Sequence, residues 1–340
     1  MLGIFIIPTG IGAEIGGHAG DGSPAATLIA SCCDKLITHP NVYNASDINE
    51  MPENVLYVEG SILDRFLEGY IELQEVRTQN KILVVVNKPV SAETINAVNA
   101  ARVTIGIDVE ILELKAPLEM EVTLDTVASG DVFGWMELSE QVQKYNFDVL
   151  AIHTPIKVSA EIALSYFKNG GINPWGGVEA KASKIIADKL NKPVAHAPIE
   201  YHGEVPELMS LHKKIVDPRM APEVISICYL NCILKGLNKA PRIGKGLSFA
   251  DVDFMISPMG CNGRPHKACQ KAKIPIIFVK ENKTVLDEGV FKNSIVVENY
   301  WEAVGVIMCM KAGIHRSSVR RPLESIRVVS ERLKYSVAHE

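Results

Sequence analysis

The chain has 340 residues, of which 47% are hydrophobic and 22% charged, with a formal net charge of −5. That length exceeds the usual single-core domain, and those fractions are ordinary globular values, so disordered, collagen-like and disulfide-scaffold chains are excluded. The acidic balance removes any electrostatic case for nucleic acid as a partner.

The chain opens on MLGIFIIPTGIG, which is apolar but lacks a basic leader and a small-residue cleavage site, so a buried first strand is expected rather than a secretory signal. Further β-branched runs predict strands at 3–7, 35–38, 55–58, 82–86, 148–152, 193–195, 254–256, 274–279 and 295–297, with helical stretches between them. This alternation is the signature of an α/β fold with mostly parallel sheets and crossover helices. Residues 103–114 alternate apolar and polar side chains and are followed by Met120, Val122 and Leu124, which predicts a short antiparallel ribbon between two lobes. The lobes are expected at 1–140 and 141–315, with a basic helical tail at 316–340 carrying Arg316, Arg320, Arg321, Arg327, Arg332 and Lys334. That tail reads as a solvated amphipathic helix.

No apolar run approaches the ~18 residues that span a bilayer, so no membrane partner is expected. The seven cysteines are odd in number and include the adjacent pair Cys32 and Cys33, which suggests no disulfide framework and a reducing cytoplasm. The segments Val90-Ser91-Ala92-Glu93 and Val158-Ser159-Ala160-Glu161 both follow a buried strand. Each reads as a serine N-cap with a glutamate in the positive end of the helix dipole, and convergence on a good cap explains the likeness better than duplication.

The strand exits share a polar, proline-marked character: Thr9 after Pro8, His39 before Pro40, Glu59 before Gly60, Lys88 before Pro89, His153 before Thr154-Pro155, His196 before Ala197-Pro198, Cys261 after Ser257-Pro258, and Glu281-Asn282. In an open parallel sheet such exits face the crevice where ligands bind. His39, Lys88, His153, His196 and Cys261 are therefore expected to line one crevice. Three glycine turns open helices after strands: Gly10 and Gly12, Gly176 and Gly177 after Asn173, and Gly260 to Arg264. Free helix N–H groups at such turns favour an anion, and Arg264 adds a bidentate donor. The expected anion-binding set is Thr9, Gly10, Gly12, Lys88, Asn173, Gly176, Gly177, Arg264, Glu281 and Asn282.

The first turn is not a dinucleotide fingerprint, so no cofactor is expected. Cys261, His266 and Cys269 form C-x₄-H-x₂-C, and His196 and His202 flank Glu200, but neither matches a zinc spacing, so no metal is expected. No G-x-S-x-G elbow supports a nucleophilic serine. Cys261 lies between a strand and a helix with Arg264 nearby, a setting that lowers a thiol pKa to roughly 3.5–7.5, the alternative being a buried, inert thiol. Cys261 and His153 are the leading catalytic candidates, with His39 and His196 beside them.

The segments PTGIGAEIGGHAGDG, ITHPNVYNASD, LYVEGSILDRF, NPWGGVEAKAS and IPIIFVKENKTVL resemble a family catalogued as a domain of unknown function, number 3326, over nearly the whole chain. The resemblance implies no particular reaction. A fainter one is to the aspartate/glutamate racemase superfamily: the segment 253–262 resembles its second thiol segment, with Cys261 in the thiol's place, and 147–154 resembles the first, with His153 where that family has cysteine. It implies proton transfer by one thiol and one imidazole. The expected function is an enzyme acting on a small anionic metabolite, an isomerase, racemase or lyase working beside a carboxylate. A nucleotide-sugar or phosphosugar transferase and a non-catalytic metabolite-binding regulator are the alternatives, and a homo-oligomer is left open.

Overall fold

The computed structural model describes residues 1–16, 21–43, 51–124, 127–197, 229–326 and 328. Its largest element is a six-stranded sheet in the order β15-β14-β13-β1-β2-β3. The strands are β1 (Leu2–Phe5), β2 (Lys35–Thr38), β3 (Val55–Tyr57), β13 (Val252–Pro258), β14 (Ile276–Val279) and β15 (Ile295–Val297), and every pairing between them is parallel. Parallel strands covered on both faces carry unbroken apolar runs, and β1 and β14 are buried at every position. Helices α1 (Ser23–Ala30) and α9 (Tyr300–Lys311) pack together, and Ile29 and Ile307 share a core cluster with Phe5, Phe254 and Ile256 of the sheet. Phe5, Phe254 and Phe278 are fully buried, each worth about 2–3 kcal/mol by area.

The middle of the chain builds a second parallel sheet, β11-β9-β5-β6, from β5 (Lys81–Val86), β6 (Asp108–Glu113), β9 (Val149–His153) and β11 (Val194–His196). One face is covered by α3 (Ala92–Ile105) and α7 (Tyr229–Lys239), whose Val98 and Leu234 pack with Ile82, Val84 and Val149. The other face packs towards the six-stranded sheet. A single cluster links Ile4 and Ile37 of the large sheet to Leu83 and Leu150 of the smaller one through α2 (Gly60–Leu67) and α6 (Gly176–Leu190). The two helices lie against each other, so the molecule's main core sits between its sheets.

The expected α/β class with mostly parallel sheets is what the chain forms, and all nine expected strands are present. The large sheet takes strands from 2–57 and 252–297, and residue 140 falls within α4 (Trp135–Val142), with strands of the four-stranded sheet on either side of it. The antiparallel ribbon forms at Met120, Val122 and Leu124 as expected but does not include residues 103–114. Val103 belongs to the last turn of α3, which Gly106 ends at φ 74°, and β6 joins β5 in parallel. The ribbon is instead β7 (Glu119–Leu124) with β8 (Ala128–Phe133), to which β10 (Ile156–Lys157) adds in parallel. Alternation in 103–114 arose from a helix end followed by a half-exposed edge strand, two environments that alternate alike. Both expected serine caps form: Ser91 accepts the Thr94 N–H at 3.0 Å and Ser159 the Ile162 N–H at 3.3 Å, opening α3 and α5 (Ala160–Asn169).

At the start of the basic tail, Arg316–Val319 form a 3-10 turn rather than an α-helix; Arg327, Arg332 and Lys334 lie outside the described residues, as do Glu200, His202 and Cys228. No described helix is long and apolar enough to cross a membrane.

Candidate functional site

The exits of β1, β2 and β3 open into a cleft of about 520 Å³ between the two parallel sheets. Thr9, His39, Glu59, Gly60, Ser61 and Asp64 form its wall on the six-stranded side, joined by Gly263, Arg264 and His266 from the start of α8 (Arg264–Ala272). Gly176, Glu179, Lys181 and Lys184 of α6 and His196 at the end of β11 form the opposing wall. Parallel strands put all their C-terminal ends on one edge, and helices entering from that edge supply the rest.

Of the five residues expected in one crevice, His39 and His196 line this cleft. Nε2 of His39 accepts the Ile7 N–H at 3.0 Å, so the neutral ring carries its proton on Nδ1. Burial holds this imidazole neutral, with its pKa lowered to about 4. His196 sits in a polar chain, with Nδ1 3.4 Å from Glu179 Oε1 and Nε2 3.3 Å from the buried Thr154 hydroxyl. His153 ends β9 outside the cleft lining, and its Nδ1–H donates to the Ala197 carbonyl at 2.8 Å. Lys88 is exposed and also outside the lining.

Cys261 departs furthest from expectation. It is 1% exposed, does not line the cleft, and burial pushes its thiol up to about 12. The expected neighbouring cation points elsewhere: Arg264 grips Glu68 in a bidentate pair, with Nε 2.6 Å from Oε1 and Nη2 on Oε2. That pair holds the Glu68 carboxyl below its usual range. Desolvation therefore dominates the helix-terminus effect at Cys261.

The glycine turns are mostly closed by protein. Ile15 N–H donates to Asn282 Oδ1 at 3.0 Å, Glu14 N–H to the Lys283 carbonyl and Gly16 N–H to Asp21 Oδ1. Asn282, fully buried, returns Nδ2 bonds to the Ile15 carbonyl and the Tyr300 hydroxyl. Glu281 accepts the Tyr300 N–H at the N-terminus of α9. Gly10 and Gly12 do not line the cleft. Asn173 occupies the start of α6, accepting from Trp175 and Gly176 N–H. Gly176 lines the cleft, but a Cβ there would meet Thr9 Cγ2 at 2.4 Å, and one on Gly177 would meet the Ala128 carbonyl oxygen at 2.0 Å. Close packing accounts for these two glycines.

Glu59 was visible in the sequence as a strand exit but not as a site residue. It is 6% exposed, its Oε1 has no hydrogen-bond partner among the described residues, and burial raises its carboxyl to about 8, beside Tyr57. Ser61, 7% exposed, has an Oγ that is likewise without a partner among the described residues. Beyond them Lys184 pairs with Asp64 at 3.0 Å, and Arg264 reaches the same carboxylate at 3.8 Å. Burial outweighs both cations and raises the Asp64 pKa. Deeper in the wall His266 is fully buried, hydrogen-bonded to Ser257 Oγ at 2.7 Å and stacked on Phe278, with a pKa lowered to about 4 by burial. No group of three or more metal-ligating side chains occurs among the described residues.

A family model described as a protein of unknown function (DUF3326) matches residues 2–320. The chain belongs to that family. A relative, an uncharacterised lipoprotein of Synechococcus sp., is 34% identical over 340 residues, covering 92% of each chain. No solved structure matches.

Proposed function

We propose that this DUF3326 protein is an enzyme that moves a proton on a small anionic metabolite held in the cleft between the two parallel sheets, an isomerase or lyase with Glu59 as its acid/base. The Glu59 carboxyl carries this reading: it is buried on the cleft wall, its Oε1 has no partner among the described residues, and its pKa is about 8. An acid/base catalyst works best when its pKa lies near the operating pH, and burial is the usual means of raising a carboxyl to that range. His39 stands on the same wall as a neutral imidazole with its proton on Nδ1, suited to polarise a carbonyl oxygen rather than to carry charge. Lys181, Lys184 and Arg264 also line the cleft, each held by a carboxylate, Asp131, Asp64 and Glu68 respectively, and they set a cationic edge for an anion. Cys261 and His153 have no part in this scheme.

Thermal-shift screening against small carboxylates and phosphate esters identifies ligands, and proton NMR in D₂O then follows exchange of their C–H groups. We expect the wild type to exchange at least one such proton and Glu59→Gln to bind but exchange roughly a hundredfold more slowly, the lower end of general acid–base effects. Equal exchange by both would remove Glu59 from the chemistry. Ligands that bind without exchanging any proton would make this a metabolite-binding protein instead.

A further inference from the structure

Helix α2 begins at the exit of β3, and its first residue, Gly60, lies on the cleft wall. This glycine has no positive φ, and a Cβ built on it meets nothing within 4 Å, so neither strain nor packing explains it. What a glycine provides there is an uncovered backbone that a ligand can approach closely. Neither Gly60 nor Ser61 donates its amide to an acceptor among the described residues, and Glu59 at the N-cap makes no capping bond. These are two of the four donors that any helix leaves open at its start. Independently, Ser61 Oγ is buried on the same wall without a partner among the described residues, a situation that native structures seldom leave unexplained.

We propose that the first turn of α2, through the Gly60 and Ser61 amides and Ser61 Oγ, binds the phosphate group of a phosphorylated small-molecule substrate, with Lys184 and Arg264 supplying counter-charge from the cleft wall. This rests on the cleft reading above and names its substrate class. Three donors on two successive residues, together with two cations, exceed what the two coplanar oxygens of a carboxylate accept, whereas a phosphate monoester offers three free oxygens. The positive end of the helix dipole adds to the attraction. Asp64 on α2 and Glu68 just after it pair with Lys184 and Arg264 and so fix those cations along the wall near the same helix. Glu59, protonated by burial, brings a donor rather than a repelling charge.

The test measures thermal shifts with inorganic phosphate, glycerol phosphate and acetate at matched ionic strength, for the wild type, Gly60→Ala and Ser61→Ala. We expect both phosphates to raise the wild-type Tm while acetate does not. Both variants should have a Tm at or above wild type, because neither loses a contact, yet bind phosphate at least tenfold more weakly. No phosphate-induced shift in the wild type, or unchanged phosphate affinity in both variants, overturns the proposal. If carboxylate ligands alone stabilise the protein, and do so through Glu59, the substrate class falls while the cleft reading stands. If no ligand of either kind binds, both fall.

Discussion

The Ile7 amide, two residues beyond β1, donates to Nε2 of His39 at 3.0 Å, joining the exits of β1 and β2 through an imidazole that must stay neutral to accept the bond. Protonating that nitrogen breaks the contact and places a charge in the protein interior. The same cost attaches to His153 and His266, whose pKa values burial also lowers to about 4.

Stability should therefore depend on pH with a defined sign. The three histidines bind protons more readily in the unfolded chain, so their contribution is complete above about pH 6.5 and is lost as pH falls towards 4, by ~3 kcal/mol each at most. Glu59 acts oppositely. Its folded pKa of about 8 lies above the usual carboxyl value of 4.5, so its contribution is full below 4.5 and is lost as pH rises through 8. Urea midpoints measured from pH 4 to 9 should peak near 6.5, and Glu59→Gln should flatten the limb between 6.5 and 8. A limb unchanged by that substitution would mean that Glu59 is ionised in the folded protein.

Cysteine reactivity gives a second check. Cys32, Cys33, Cys232, Cys261 and Cys269 are buried and Cys309 is partly exposed. Pulse labelling with iodoacetamide at pH 7, read by peptide mass spectrometry, should modify Cys309 first among these six and Cys261 among the slowest. Rapid labelling of Cys261 would restore the thiolate that burial argues against.

Asn282 is a strut, not an anion ligand. Replacing it with alanine removes bonds to both backbone groups of Ile15 and to the Tyr300 hydroxyl, at a cost of about 2–3 kcal/mol for polar groups left unpaired. Amide exchange at Ile15 should accelerate with it. Ligand affinity in the cleft should not change, and a selective loss of affinity at unaltered stability would contradict the assignment.

Gly177→Ala and Gly60→Ala should differ sharply although both stand at helix starts. The first drives a methyl to 2.0 Å from the Ala128 carbonyl oxygen and should destabilise by 2 kcal/mol or more on the order expected for overpacking. The second enters open space and should leave the urea midpoint unchanged or raised. Equal destabilisation by both would mean that α2 is packed more closely against its surroundings than the fold shows.

The sequence by itself determined what depends on neighbours in the chain. Unbroken apolar runs such as Ile82–Val86 marked strands covered on both faces, Ser91 and Ser159 marked helix starts because a cap is made within three residues, and the polar exits followed from where those runs stop. Thr9, His39 and His196 were expected at a crevice on that basis, and they line the cleft, as do Gly176 and Arg264 from the glycine turns. Only the tertiary structure decided which strands are neighbours. β1 pairs with β13, some 250 residues later, and nothing in two apolar runs specifies each other as partners. Charge and burial were decided at the same level. Arg264 is held by Glu68, which follows α2 almost two hundred residues earlier, and burial raises the Glu59 carboxyl to about 8, a property of the enclosing space rather than of the residue.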